Sequence, residues 1–281
     1  STPLYSSAAS DVYKRQGEMS KMKNIAIVTG ASSGFGKEFV NLFVRRKDID
    51  EVWIISRNED RLYKIKEHFG KKIRVFSMDL SVKDNIKAFG TLEELKKCNI
   101  KYLVNNAGFA KFCSYDDISI DESVNMIDLN VSGVVAMGLV CIPYMRKGSH
   151  IINVASQAAF QPLPYQNIYS STKAFVRNYT RALNVELRDK GIIATAVCPG
   201  WMKTELYDRG IIGAERATTY FSHMVKPSVV ARKALHDADM GRDISVYSFY
   251  VKFCHLLAKI LPQKMMMKLW MIQQKGCRLD K

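Results

Sequence analysis

From Asn24 onward the chain alternates between short β-branched runs and longer stretches whose apolar residues recur three and four positions apart. The first run, NIAIVTG, ends in glycine and is followed by FGKEFVNLFVRR, in which Phe35, Phe39, Leu42 and Phe43 share one helical face. That order is strand, turn, helix. Further strands are predicted over 51–56, 72–78, 100–106, 149–156 and 192–199, with helices over 59–69, 82–97, 121–146 and 167–189 between them. Strands of near-continuous Val and Ile, separated by helices, are buried on both faces. They predict a doubly wound parallel sheet with helices on both sides and right-handed crossovers. No linker interrupts residues 22–249, which read as one domain, and 250–281 read as a C-terminal helical extension of it. Residues 1–16, STPLYSSAASDVYKRQ, are Ser/Ala-rich and aperiodic, resemble translated adapter sequence, and are set aside. The native chain is expected to start near Met19 or Met22, so that 1–21 is a leader outside the fold.

Composition changes this picture little. With 47% apolar residues, a chain of 281 can bury a sizeable core. Its six cysteines show no CxxC or Cys/His ligand spacing, so neither a metal site nor a disulfide framework is predicted. A reduced, cytoplasmic protein is expected. No run of 18 apolar residues suggests a spanning helix, and no secretory signal opens the chain.

Charge raises two questions. The net +15 invites a nucleic-acid partner, but no basic stripe interleaved with aromatics and no nucleic-acid motif appears, so none is expected. The tail is more specific: residues 250–281 hold seven Lys/Arg against the single acid Asp280, around YVKFCHLLAKIL and MMMKLWMI. Such a segment can lie on an anionic membrane surface, cap an apolar substrate cleft, or fill the interface of a homodimer or homotetramer. Apolar residues at helical spacing are more often buried, which favours cleft or interface.

The first turn, TGASSGFG, places glycines at 30, 34 and 36 between a strand and a helix. Glycines there let backbone approach a pyrophosphate at the positive helix end, although such a turn is equally a tight connection. The spacing TGxxxGxG resembles that of the short-chain dehydrogenase/reductase family. The resemblance recurs in order through MDL with Asp79, NNAG at 105–108, LN with Asn130, Ser156, the pair Tyr169/Lys173 and PGWMKT at 199–204. It spans about residues 24–205 and implies a Rossmann fold of the NADP(H)-binding type, similar to hydroxysteroid dehydrogenases.

Tyr169 and Lys173 lie one helical turn apart, so both can face one cleft. A free tyrosine, with a pKa of about 10, is a poor base near neutrality, and a neighbouring ammonium is expected to lower it. The resemblance implies that Tyr169 is the acid/base, that Lys173 also holds the nicotinamide ribose, and that Ser156 bonds the substrate oxygen. It further implies that Asn130 holds a backbone kink and a water beside the lysine. The implied cofactor wall is Gly30, Ser32, Ser33, Gly34, Phe35 and Gly36, then Ser56, Arg57, Asp79, Leu80, Asn106, Ala107 and Gly108, with Pro199, Gly200 and Thr204 on the far side.

Cofactor choice is read from the end of the second strand. About 20 residues beyond the glycine turn an NAD-binding fold commonly carries an acid, whereas a 2′-phosphate calls for arginine. Ser56 and Arg57 stand there, in IISRNEDRL, which favours NADP(H) over NAD(H) unless Arg57 merely pairs with Glu59 or Asp60. The expected substrate wall is Gln157, Phe160, Pro162, Leu163, Pro164 and Tyr165 after Ser156, and Trp201, Leu206 and Tyr207 after the PG motif. That apolar inventory suits a lipophilic ketone or secondary alcohol such as a steroid, bile acid or acyl chain. The predicted activity is NADP(H)-dependent alcohol–ketone interconversion. A non-catalytic nucleotide sensor on the same fold is the alternative.

Overall fold

Two kinds of apolar periodicity build three layers in the computed structural model, which describes residues 22–213, 218, 221 and 223–274. The expected leader over 1–21 lies outside these residues. The strands are β1 (Lys23–Thr29), β2 (Glu51–Ser56), β3 (Ile73–Ser77), β4 (Cys98–Asn105), β5 (His150–Val154), β6 (Ile193–Val197) and β7 (Ile244–Ser245). They form one sheet in the order β3-β2-β1-β4-β5-β6-β7, all parallel. The chain therefore winds outward from β1 to β3, returns to β4 beside β1, and winds the other way. Ligand crevices of open α/β sheets lie where the strand order reverses, between β1 and β4 here.

Alternation along each strand decides which layer a side chain joins. Ala26, Val28, Val52, Ile54 and Val104 pack with Phe35, Phe39 and Phe43 of α1 (Gly34–Val44), and Val230, Ala231 and Ala234 of α8 (Pro227–Asp239) join them. Ile25, Ile27, Trp53, Ile55 and Leu103 face the other layer. They meet Ile86 and Phe89 of α3 (Lys83–Gly90), Met137 and Cys141 of α5 (Gly133–Cys141), and Leu183 of α6 (Asn167–Glu186). Helix α2 (Glu59–Phe69) joins β2 to β3, with the Asn58 side chain accepting from the Arg61 N–H at its start. A short α7 (Leu206–Gly210) follows β6, and α9 (Phe249–Ile260) and α10 (Gln263–Gln274) close the described chain.

Several sequence expectations shift. The helix expected over 82–97 stops at Gly90, and a separate turn at Leu95–Lys97 leads into β4. The helix expected over 121–146 is α4 (Ile120–Ile127), a wide π turn at Asp128–Ser132, then α5. Length and composition alone would let the continuous helix 120–144 cross a bilayer, although no 18-residue apolar run marks it. Here its inner side, through Met126, Asn130, Val134 and Met137, is buried in the fold. Helix α8 and the edge strand β7 were not predicted, since β7 pairs only two residues with β6.

Candidate active site

The β1–α1 turn is built by close packing. Gly30 has φ +63°, and its N–H donates to the Ile55 carbonyl at 2.8 Å. Thr29 Oγ1 accepts from the N–H groups of both Asn106 and Ala107 at 3.0 Å, while Asn106 Nδ2 donates to the carbonyls of Thr29 and Gly30 at 3.1 Å. The glycine turn and the NNAG loop are thus clamped face to face. Thr29, which the sequence analysis passed over, is the hinge pin of that clamp.

The same turn fits a dinucleotide pyrophosphate. Helix α1 starts at Gly34 with Ser33 making no side-chain cap bond and no acid in the first turn, so its leading N–H groups keep their donor capacity. Ser32, Ser33, Gly34 and Phe35 line a cavity of about 800 Å³, and Thr204, also on its wall, lies next to Gly34. Gly36 is not on that wall. It packs behind the turn, where an added Cβ would lie 2.3 Å from the Gly30 carbonyl oxygen.

The far end of the cavity is walled by Ser56, Arg57, Asp79 and Leu80, with Asn106, Ala107 and Gly108 below and Pro199 and Gly200 opposite. Arg57 pairs with neither Glu59 nor Asp60. Its Nη1 sits 3.6 Å from Asp79 Oδ2. Burial alone would raise the Asp79 pKa, but bonds from the Ser81 N–H and hydroxyl, with the nearby Arg57 charge, hold it below the ordinary carboxylate value. Asn58, Arg61 and Met78 also line this end and were missed in the sequence.

The four residues expected to carry chemistry converge from three places: the π turn, the end of β5, and α6, which carries both Tyr169 and Lys173. The π turn points Asn130 inward, fully buried: Oδ1 accepts from the Phe109 N–H at 3.1 Å, and Nδ2 donates to the Phe109 carbonyl at 2.9 Å and to Thr172 Oγ1 at 3.2 Å. The expected kink is present as that wider turn. Thr172 Oγ1 donates in turn to the Tyr169 carbonyl at 2.8 Å, tying Asn130 to α6. Lys173 Nζ donates to the Val154 carbonyl, the last of β5, at 2.8 Å, and stands 5.8 Å from the Tyr169 ring centroid. Ser156 stands near enough to Tyr169 to oppose the shift of its phenol, and its Oγ accepts from the Ala158 N–H at 3.1 Å. Ser156, Tyr169 and Lys173 all line the cavity.

One electrostatic expectation, which counted the charge of an oxidised nicotinamide beside that of Lys173, meets an opposing effect in the chain alone. Lys173 does not lower the Tyr169 phenol here; burial pushes it up to about 12, with Ser156 opposing. Burial also pushes the Lys173 ammonium down to about 8. Both charged forms lose water in the same closed place, and that cost exceeds their mutual help. Tyr169 is therefore held as a proton donor, and Lys173 is the group poised to titrate near working pH. The kcat/KM of the free enzyme is expected to fall above about pH 8 as the Lys173 ammonium is lost. Lys173→Arg should move that limb upward, and a limb that stays put in this variant assigns it elsewhere.

The expected substrate wall is only partly correct. Leu206 and Tyr207 line the cavity, but Gln157, Phe160, Pro162, Tyr165 and Trp201 do not. Phe160 stacks edge-on against His255 at 3.9 Å, Pro162 is exposed, and the Gln157 N–H is spent on the Pro199 carbonyl. Trp201 packs against Tyr207 at 5.4 Å. Phe112 supports the wall instead: fully buried, it stacks on Tyr207 at 5.8 Å and meets the Tyr169 ring edge-on at 5.7 Å. Its only sequence signal is its place shortly after NNAG. Lys111, Glu122 and Arg209 bring charge to the same cavity.

A parallel sheet with a glycine turn at its switch point, and a buried Ser–Tyr–Lys–Asn set around one cleft, defines an α/β oxidoreductase of the nicotinamide-dinucleotide type. Residues 24–210 match the short chain dehydrogenase family. Sulfoacetaldehyde reductase 2 of Chromohalobacter salexigens is 32% identical over 193 residues, covering 66% of this chain and 75% of that protein. An NADP-dependent 3-hydroxy acid dehydrogenase of Escherichia coli is 32% identical over 179 residues, covering 63% and 71%. Among solved structures, the closed form of a serine dehydrogenase complexed with NADP+ superposes with a TM-score of 0.70 at 29% identity, covering 79% of this chain and 93% of that one. The chain belongs to the short-chain dehydrogenase/reductase family and is an oxidoreductase.

Proposed function

We propose that the protein is an NADP(H)-dependent reductase that interconverts a carbonyl and the corresponding alcohol on a substrate with an apolar body. What carries this reading is the meeting of Ser156, Tyr169 and Lys173 on one cavity wall, with Lys173 Nζ 5.8 Å from the Tyr169 ring centroid and burial keeping the phenol protonated. Bound cofactor supplies the hydride. The chain's own residues do the rest: Ser156 and the Tyr169 hydroxyl donate to the carbonyl oxygen, and Tyr169 yields the proton as negative charge develops there. Asn130, through Phe109 and Thr172, fixes the loop and the helix that carry these groups.

NADP(H) is favoured by Arg57, which lies beside Ser56 at the cavity end and is 64% exposed, with only a loose contact to Asp79. The relatives named as NADP-dependent or complexed with NADP+ point the same way. Arg57→Ala should raise the KM for NADPH and leave NADH nearly unchanged. A charge-assisted bond is worth about 1.5–3 kcal/mol, and at so exposed a site the lower end applies, roughly tenfold. The difference should shrink in high salt. Steady-state kinetics with both cofactors checks it, and equal loss of both would place the phosphate elsewhere.

Substrate class has two readings. The aromatic wall around Phe112 and Tyr207 supports the lipophilic one. The relatives, named for sulfoacetaldehyde and for 3-hydroxy acids, support a small anion, and Lys111 and Arg209 are the cations it could meet. Both cations already hold carboxylates of the chain, Lys111 with Glu122 at 3.0 Å and Arg209 with Glu205. An anionic substrate that used either of these two cations would have to break its pair, which favours the lipophilic reading. NADPH oxidation with steroid, bile-acid and acyl ketones beside sulfoacetaldehyde and keto acids decides between them. Turnover confined to the small anions removes the lipophilic reading.

A further inference from the structure

Helix α9 is mostly apolar, FYVKFCHLLAKI, yet buries only Val251. Its inner side is fixed against the body of the protein: Val251 Cγ2 reaches within 2.8 Å of where a Cβ on Gly200 would stand, and His255 stacks on Phe160. The opposite side is an apolar stripe open to solvent, Phe249, Phe253, Leu256 and Ile260, at 84%, 50%, 51% and 68% exposure. Positions i, i+4, i+7 and i+11 fall within about 60° of one another round a helix.

Helix α10 repeats the arrangement. Met266 and Trp270 are its buried side, and Trp270 Nε1 donates to the Pro164 carbonyl at 3.0 Å, just ahead of α6 and Tyr169. Met265, Leu269 and Ile272 form its exposed stripe, again at i, i+4 and i+7. One side of α10 thus joins the Phe112–Tyr169 cluster behind the cavity wall, no tail residue lines the cavity itself, and the other side of α10 is uncovered.

Charge says what fits that side. Lys252 and Lys259 on α9, and Lys264 and Lys268 on α10, are exposed and flank their stripes by about 60–100° on the same edge. No Asp or Glu occurs between Asp243 and Asp280, and among the described residues no carboxylate pairs with these four lysines. An apolar stripe with a one-sided basic edge matches the boundary between headgroups and acyl chains of an anionic bilayer. A second copy of the chain would bring like charge to like charge, and a nucleic acid would leave the stripes in water.

We propose that α9 and α10 seat the enzyme on an anionic lipid surface, with the exposed stripes entering the interface and the four lysines at the headgroups. The seat goes beyond the reductase reading and does not depend on it. Because α10 covers the loop before Tyr169 with its inner side, the lipid surface lies one helix away from the substrate wall.

Sedimentation of the full chain with vesicles tests the proposal. Binding is expected to vesicles of equal parts phosphatidylcholine and phosphatidylglycerol, to be weak to phosphatidylcholine alone, and to be released by salt. The variant with Lys252, Lys259, Lys264 and Lys268 all changed to Gln should lose roughly several hundredfold in partitioning, since each basic residue near an anionic surface contributes roughly fivefold. Phe253→Ser with Leu256→Ser should lose about tenfold or more. All these positions are exposed, so the melting temperature of each variant should match that of the parent. Equal binding to neutral and anionic vesicles, or no loss in the lysine variant, overturns the proposal. So does a soluble dimer that the serine variant dissociates, because the stripes would then belong to a second copy.

Discussion

Tyr169→Phe is expected to lower kcat and kcat/KM together by about a hundred- to ten-thousandfold while leaving cofactor affinity unchanged, the range a positioned proton donor contributes. The ring is held by contacts that phenylalanine keeps. Phe112 meets it edge-on at 5.7 Å, and the bond from Thr172 Oγ1 goes to the backbone carbonyl. Only the hydroxyl is removed, and with it the transferable proton. Cofactor titration beside steady-state kinetics separates binding from chemistry. Near-normal turnover on the best substrate would end the assignment of Tyr169 as proton donor.

Gly36→Ala is expected to impair NADPH and NADH alike and to lower stability. A Cβ there would lie 2.3 Å from the Gly30 carbonyl oxygen and 2.5 Å from Asn106 Nδ2, far inside van der Waals contact. Neither neighbour can yield alone, because Asn106 Nδ2 itself bonds the Thr29 and Gly30 carbonyls that clamp the two loops. The turn must open, and the helix end that meets the pyrophosphate moves with it. Overpacking of this kind costs about 1–3 kcal/mol, a few degrees of melting temperature in a domain this large. Thermal melting and titration with both cofactors check the two halves. A variant that loses only NADPH would show that the turn does not meet the shared part of the cofactor.

The contrast between these variants and Arg57→Ala follows from where each residue sits. Gly36 is locked behind the turn, whose shape any dinucleotide would need, whereas Arg57 is mostly in solvent, where the 2′-phosphate is proposed to sit. One is a matter of shape and the other of charge, and salt should separate them.

The alternation of strands and helices was legible because its causes are local. A two-residue period, a 3.6-residue period and a glycine at a turn are each decided within a few positions. That the sheet is parallel and doubly wound followed from the same alternation with the handedness of crossovers, whereas the order of its strands came only from the fold. Asn130, Ser156, Tyr169 and Lys173 were legible as a set through the resemblance to a family in which residues of these types follow one another in this order.

Tertiary structure alone decided what depends on distant segments meeting. The sequence pointed to residues just after Ser156 as the substrate wall, but the chain turns Phe160 toward His255 of the tail and brings Phe112 beside Tyr169 instead. Arg57 met Asp79 from the next strand rather than its own neighbours, because β2 and β3 lie side by side. The effect of burial on Tyr169 was hidden for a related reason. Sequence spacing shows that a lysine is near but not how much water both groups lose, and in a closed cleft desolvation outweighs the attraction. The tail's basic amphipathic character was plain from its residues. Which side would be covered was not, since that is fixed only when Val251 and Trp270 find their places against the rest of the fold.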